Sequence, residues 1–310
     1  MQINLKSGFF KWAVLFSLVL IWGTSFILMK QGLKVYSSAI VGSLRIFIAF
    51  LVILPFSVFH ARSLPPGKWK HIAVVGILGT AIPAFLFAKA QTVISSSVAG
   101  ILNSLTPLFT LITGVLFFSQ KSGLLRFLGV ITGLTGAVGL VFITSDNSFE
   151  FQFAYAFLII LATILYSIQS NVIKTYLNDV NPVAITSLGF LIVGLPAGIY
   201  LFAFSDFYTV LKTSHQGIEG VVYISLLSIF GSVIALILYN RLVQVTNPVF
   251  ASSVTYLVPV VALLWGVFDG ERLPAVSLVF VALIFAGVIM VNKNDYIKKI
   301  AKKTGKTFGS

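Results

Sequence analysis

The sequence predicts an all-α integral membrane protein whose ten transmembrane helices form two inverted five-helix repeats. Three observations predict it. The chain is 58% hydrophobic and 9% charged, whereas a soluble domain carries about 25% charged residues. Its apolar residues gather in runs long enough to cross a bilayer. The runs of the first half then recur in the second.

A helix crossing hydrocarbon needs about 20 mainly apolar residues. Ten segments qualify: 12–33, 38–59, 72–89, 97–118, 123–143, 153–174, 183–204, 218–239, 249–268 and 274–292. The breaks between them are short and polar, as in ARSLPPGKWKH (61–71) and KTSHQGIE (212–219). The runs are too long and too evenly apolar for barrel strands, which leaves helices. Lys6 and Lys11 precede the first run as they would in a signal peptide. That run is about 18 residues with no small-residue cleavage site after it, so it reads as a retained helix. Cysteine is absent, which excludes disulfides and thiolate metal sites.

Lysine and arginine set the orientation. With the N-terminus in the cytoplasm, fifteen of the 21 fall on the inner side and five on the outer, with Arg45 inside a span. Both termini are then cytoplasmic. The net charge of +13 lines one membrane face and is richest in the tail, 293–310. That pattern suits anionic lipid headgroups and argues against nucleic acid.

The repeat is legible residue by residue. SLTPLFTLITGVLFF (104–118) matches YLVPVVALLWGVFDG (256–270) at an offset of 152, and LIWGTSFILMK (20–30) matches ILYSIQSNVIK (164–174) at 144. The units are therefore 12–143 and 153–292. Five spans per unit is odd, so the second unit enters the membrane from the opposite side. Inverted repeats are a recurrent plan of transporters, with substrate near the midplane where the units meet.

WGTSF (22–26), SLRIFIAF (43–50), the paired mid-helix prolines and GERL (270–273) together resemble the EamA-type branch of the drug/metabolite transporter superfamily. The resemblance covers nearly the whole chain. It implies ten helices, two EamA-type repeats, a plasma-membrane location and export or facilitated movement of small metabolites such as amino acids. Such proteins usually end the fourth span, like the ninth, on an acidic residue. This chain has Glu271 after the ninth but FFSQKS (117–122) after the fourth, so the repeat symmetry is broken there.

Pro107 and Pro259 lie near the middle of their spans as hinges. Each frees the carbonyl four residues earlier, at Asn103 and Thr255. That predicts two symmetric polar notches at mid-depth. Packing is the plainer reading of the prolines. Further substrate-binding candidates at similar depth are Trp22, Ser25, Ser104, Tyr166, Gln169, Tyr239, Asn240 and Tyr256. Aromatic rings with polar tips suit amphiphilic metabolites. Arg45 carries a charge into a span at a cost of about 2.5–3.5 kcal/mol on insertion scales. It reads either as snorkelling and carbonyl capping or as attraction of a substrate carboxylate. Gly129, Gly133 and Gly136, with Ala282 and Ala286, read as close helix packing, with a homodimer face as the alternative.

The expected function is therefore a secondary transporter or exporter of small metabolites working by alternating access. No cofactor or metal is implied. The eight acids and three histidines all map to loops or helix ends. Ion-driven carriers hold a titratable group within the membrane, so facilitated movement is expected, with a channel or ion-coupled permease as the alternatives. A membrane enzyme would need nucleophile, base or ligand groups that the pattern does not supply.

Overall fold

A computed structural model describes residues 8–119, 124–144, 149–271, 274–287 and 289–290. The basic tail 293–310, Lys6, Lys121 and Arg272 lie outside the described residues. The described residues form helices joined by short turns and include no strand. Eight helices are long and apolar enough to cross a membrane. They are α1 (Lys11–Leu33, starting structurally at Gly8), α2 (Ser38–Ala61), α3 (Pro66–Ala90), α4 (Ser96–Phe117), α6 (Gln152–Tyr176, starting at Phe149), α7 (Pro182–Ala203), α8 (Gly217–Val245) and α9 (Pro248–Phe268). Two further apolar helices occupy the places expected for the fifth and tenth spans. They are α5 (Leu124–Thr144) and α10 (Ser277–Gly287).

Helix starts repeat along with the apolar runs. Ser37 caps α2 by accepting from the Ile40 N–H, and Asn181, 144 positions on, caps α7 by accepting from Val183. Ser95 caps α4 through the Val98 N–H, and Asn247, 152 positions on, caps α9 through Phe250. Each oxygen satisfies one amide that the first helical turn leaves unpaired. Pro182 and Pro248 occupy the first helical position, where no amide hydrogen is needed.

Four helices are interrupted at mid-depth. Helix α4 consists of Ser96–Asn103 and Thr106–Phe117 with a break between them. Helix α9 consists of Pro248–Ser252, a 3₁₀ turn over Ser253–Tyr256, and Val258–Phe268. Helices α3 and α8 each hold a π-helical stretch, Ile77–Ala81 and Leu227–Ile234. Pro83 lies four residues after Gly79 and cannot donate to its carbonyl. In α8 the Gly231 carbonyl instead accepts the Trp22 indole N–H at 3.1 Å.

The core lies among these interrupted helices, and large apolar side chains such as Phe59, Phe204 and Phe268 face outward. That distribution suits lipid as the solvent. The glycine stripe of α5 is covered by α10 of the same chain. A Cβ at Gly136 would strike the Ile284 amide and the Phe280 carbonyl, and one at Gly287 would strike the Gly129 carbonyl and the Gly133 amide. The close approach is thus made within the chain.

Candidate functional site

A cavity of about 870 Å³, its open mouth included, sits where the four interrupted helices meet α1, α2, α6 and α7. Its wall is built in pairs drawn from the two halves. Trp22 of α1 and Tyr166 of α6 are 144 positions apart, as are Ser25 and Gln169. Phe87 of α3 and Tyr239 of α8 are 152 apart, as are Gly79 and Gly231, Thr80 and Ser232, and Asn103 and Thr255.

Contacts follow the same pairing. The Trp22 ring lies 5.2 Å from Tyr239, and the Tyr166 ring lies 6.0 Å from Phe87. A Cβ on Gly231 would press on the Ser25 hydroxyl, and one on Gly79 would overlap the Gln169 amide. The two wide turns therefore carry glycine where a side chain of α1 or α6 crosses them.

Several of the expected site residues are brought together here, namely Trp22, Ser25, Asn103, Tyr166, Gln169, Tyr239 and Thr255, along with Arg45. Others are not. The Ser104 hydroxyl is fully buried and donates to the Ile101 carbonyl at 2.6 Å. Asn240 turns toward α7, its amide donating to Thr186 Oγ1 at 3.0 Å. Tyr256 closes the 3₁₀ turn of α9 and does not border the cavity.

The expected hinges, Pro107 and Pro259, lie at the interruptions of α4 and α9. Each stands in the first turn of a new helical piece, after a break, where proline is tolerated. The carbonyl freed at Asn103 accepts the Thr106 hydroxyl at 2.7 Å, so that notch is already filled by a side chain of the chain itself.

Arg45 does not snorkel. Its Nε donates to the Ser232 hydroxyl of α8 at 2.8 Å, which places the guanidinium on the cavity wall. The position equivalent to Arg45 in the second unit is Gly189, whose backbone lies against Gly76 of α3. The pairing of the halves thus breaks at this arginine. Among the unpaired polar atoms of the described residues is Gln169 Nε2.

Away from the cavity, Glu271 is a working residue that the sequence left without a partner. Its side chain is 7% exposed and pairs with Lys30 of α1 at 2.7 Å. It also accepts the first amides of α4, from Ser96 at 2.9 Å and Ser97 at 3.0 Å, and the Ser97 hydroxyl at 2.5 Å. Asp269 joins the same lysine at 2.7 Å. Burial pushes the Glu271 carboxyl up, but its bonds to Lys30, Ser97 and Ser96 outweigh this and hold it below the usual carboxylate range. The Lys30 bond likewise lowers Asp269. A carboxylate at a helix N-terminus gains further from the helix dipole.

Sequence reading also missed Phe87, Thr106 and the two glycine turns. A signal was present: GTAI (79–82) and GSVI (231–234) share the 152 offset of the prolines.

A many-spanning helical membrane protein with a cavity at the level of broken helices belongs to the general class of membrane carriers and channels. The profile of the EamA-like transporter family matches this chain twice, over residues 11–142 and 153–293. The chain belongs to that family and is a multi-pass membrane transporter. It is 26% identical over 286 residues to the "Uncharacterized inner membrane transporter YedA" of Escherichia coli K12, covering 91% of this chain and 90% of the relative. It is 26% identical over 296 residues to the "WAT1-related protein At3g02690, chloroplastic" of Arabidopsis thaliana, covering 93% and 70%. A solved crystal structure, 16% identical, superposes with a TM-score of 0.64 over 91% of this chain and 96% of the other, a likeness of fold.

Proposed function

We propose that the protein is a facilitative carrier that moves small amphiphilic metabolites outward across a bacterial inner membrane by alternating access. Its two units, of five spans each, are related by inversion, and both termini face the cytoplasm. The observation that carries this reading is the paired cavity wall. Each half supplies one broken helix, one wide-turn helix and three aromatic side chains to the same space. Two halves of opposite orientation can exchange conformations, opening the cavity to one side and then the other. The residues proposed to touch substrate are Trp22, Ser25, Asn103, Tyr166, Gln169, Tyr239 and Thr255. The lysine and arginine asymmetry supports the orientation, and the family relative named as an inner membrane transporter supports the membrane.

The facilitative part rests on charge. Among the described residues the cavity wall holds no carboxylate and no histidine, so a driving proton or sodium ion has no anionic site there. The test is counterflow in proteoliposomes against a panel of amino acids and related small metabolites, with and without imposed proton or sodium gradients. Saturable exchange that never exceeds the substrate's own gradient is expected. Concentrative uptake abolished by an ionophore would establish ion coupling instead, and flux rising linearly with concentration would establish a channel.

A further inference from the structure

The Arg45 guanidinium is held at one end only. It has five N–H donors, and its single hydrogen bond uses Nε, on Ser232 Oγ at 2.8 Å. The two terminal nitrogens, with four N–H groups, have no acceptor among the described residues. No ion pair reaches this arginine either. The described ion pairs join Lys30, Lys34 and Lys68 to Asp179, Asp269 and Glu271. Arg45 is half-buried and lines the cavity.

A half-buried cation within a membrane span and without a counter-charge is expensive. Arginine presents a planar fork suited to two oxygens of one anionic group. Fixing Nε on Ser232 leaves that fork free to meet a ligand. The rest of the wall is mainly neutral, with the rings of Trp22, Tyr166 and Tyr239 among its residues, and it offers no carboxylate to pair an ammonium group.

We infer that Arg45 is the anion-recognition residue of the cavity, and that the preferred substrate is an organic monoanion. Such a substrate carries one carboxylate on an aromatic or bulky apolar body, and is favoured over the corresponding zwitterion. This rests on the reading of the cavity as the transport site. A single guanidinium matches a single negative charge, and desolvation of an unpaired ammonium would count against an amino acid of the same shape.

The experiment uses three probes of similar shape and different charge: 3-phenylpropionate, phenylalanine and 3-phenylpropanamide. Binding to the purified full-length protein in detergent is measured by ligand-induced thermal stabilisation, and flux is measured separately in proteoliposomes. The anion is expected to bind at least about tenfold more tightly than either competitor. Arg45→Gln should bring the three probes to near equality. Ser232→Ala keeps the cation but frees its anchor, and should weaken anion binding about three- to tenfold. If Arg45→Gln does not fold, the wild-type series and Ser232→Ala decide. Equal or tighter binding of phenylalanine or the amide to the wild type overturns the inference, as does an anion preference unchanged in folded Arg45→Gln. An anion preference without flux of any probe would leave recognition standing and remove the transport reading. Flux that favours phenylalanine would do the reverse.

Discussion

Lys30 and Lys174 occupy equivalent places, 144 positions apart, in the last turns of α1 and α6. Their surroundings have diverged. Lys30 meets two carboxylates, Asp269 and Glu271, and through Glu271 it ties α1 to the start of α4. Lys174 meets a neutral backbone, donating to the Gln244 carbonyl of α8 at 2.8 Å, while the Gln244 amide reaches back to the carbonyls of Leu177 and Val180. The start of α9 could not imitate the start of α4. Pro248 stands where α4 has Ser96, so it has no amide hydrogen to offer a carboxylate. One end of the bundle is thus closed by ions and the other by hydrogen bonds to carbonyls. A duplicated architecture therefore need not have equally strong closures, and the two ends should respond differently to charge, acid and mutation.

The largest expected effect is at Glu271. Glu271→Ala leaves the Ser96 and Ser97 amides without their acceptor and Lys30 with Asp269 alone. Breaking a buried ion pair costs about 3 kcal/mol, to be read as a fall in thermal stability in detergent. If Glu271→Ala unfolds at the wild-type temperature, the ionic end is not a closure.

Acid should dissolve the same end next. Asp269 and Glu271 have lowered values, so their stabilisation is complete above the ordinary carboxylate range. It is lost as pH falls through the lowered values, below about pH 4. Thermal stability should therefore show no pH dependence from this pair between about pH 6 and 8, where its contribution is complete, and should decline in strong acid. In Glu271→Gln that decline should be smaller. A decline centred near pH 6 to 7 would mean that neither carboxylate is held as the structure has it.

Lys174→Met should be milder. It removes one charged hydrogen bond, worth about 1.5 kcal/mol, and the loss relative to wild type should not vary with acid in the same scan. Smallest of all is Asp179→Asn. Asp179 pairs with Lys68 at 2.7 Å near the Lys174 end, but its side chain is 70% exposed. An exposed pair contributes within about 0.5 kcal/mol, so no resolved change in unfolding temperature is expected. A shift as large as that of Glu271→Ala would erase the distinction between the ends.

Much of this fold was legible because lipid imposes long apolar runs and the repeat doubles every signal. The expected bounds of α2, α4, α7 and α9 lie within a few residues of those observed. Helix α8 was ended at residue 239, yet Asn240 is held by Thr186 and the helix continues to Val245. The cavity was half legible. Trp22, Tyr166, Ser25 and Gln169 declare themselves as polar or aromatic residues in apolar helices. Phe87 and Gly79 do not, since phenylalanine and glycine are ordinary in membrane helices and only the π turn gives them their place. Ser104 and Tyr256 misled because depth along a helix says nothing of the face a side chain takes. Glu271 was undervalued for a related reason. A residue just past a span looks peripheral until the chain folds α4 and α1 against it.

The most direct test of alternating access uses the absence of cysteine from the chain. Ser25→Cys places one thiol on the cavity wall. Cysteines at Gln31 and Asp269, whose side chains bond at 2.9 Å, joined by a short reducible bis-thiol crosslinker, would staple the Lys30 end. Labelling with an impermeant thiol reagent is then compared in right-side-out and inside-out vesicles, before and after the staple forms. The account predicts that the cavity thiol reacts from both sides without the staple and only from the Lys174 side with it, and that reduction restores both. Unchanged labelling from both sides in the stapled protein would contradict it.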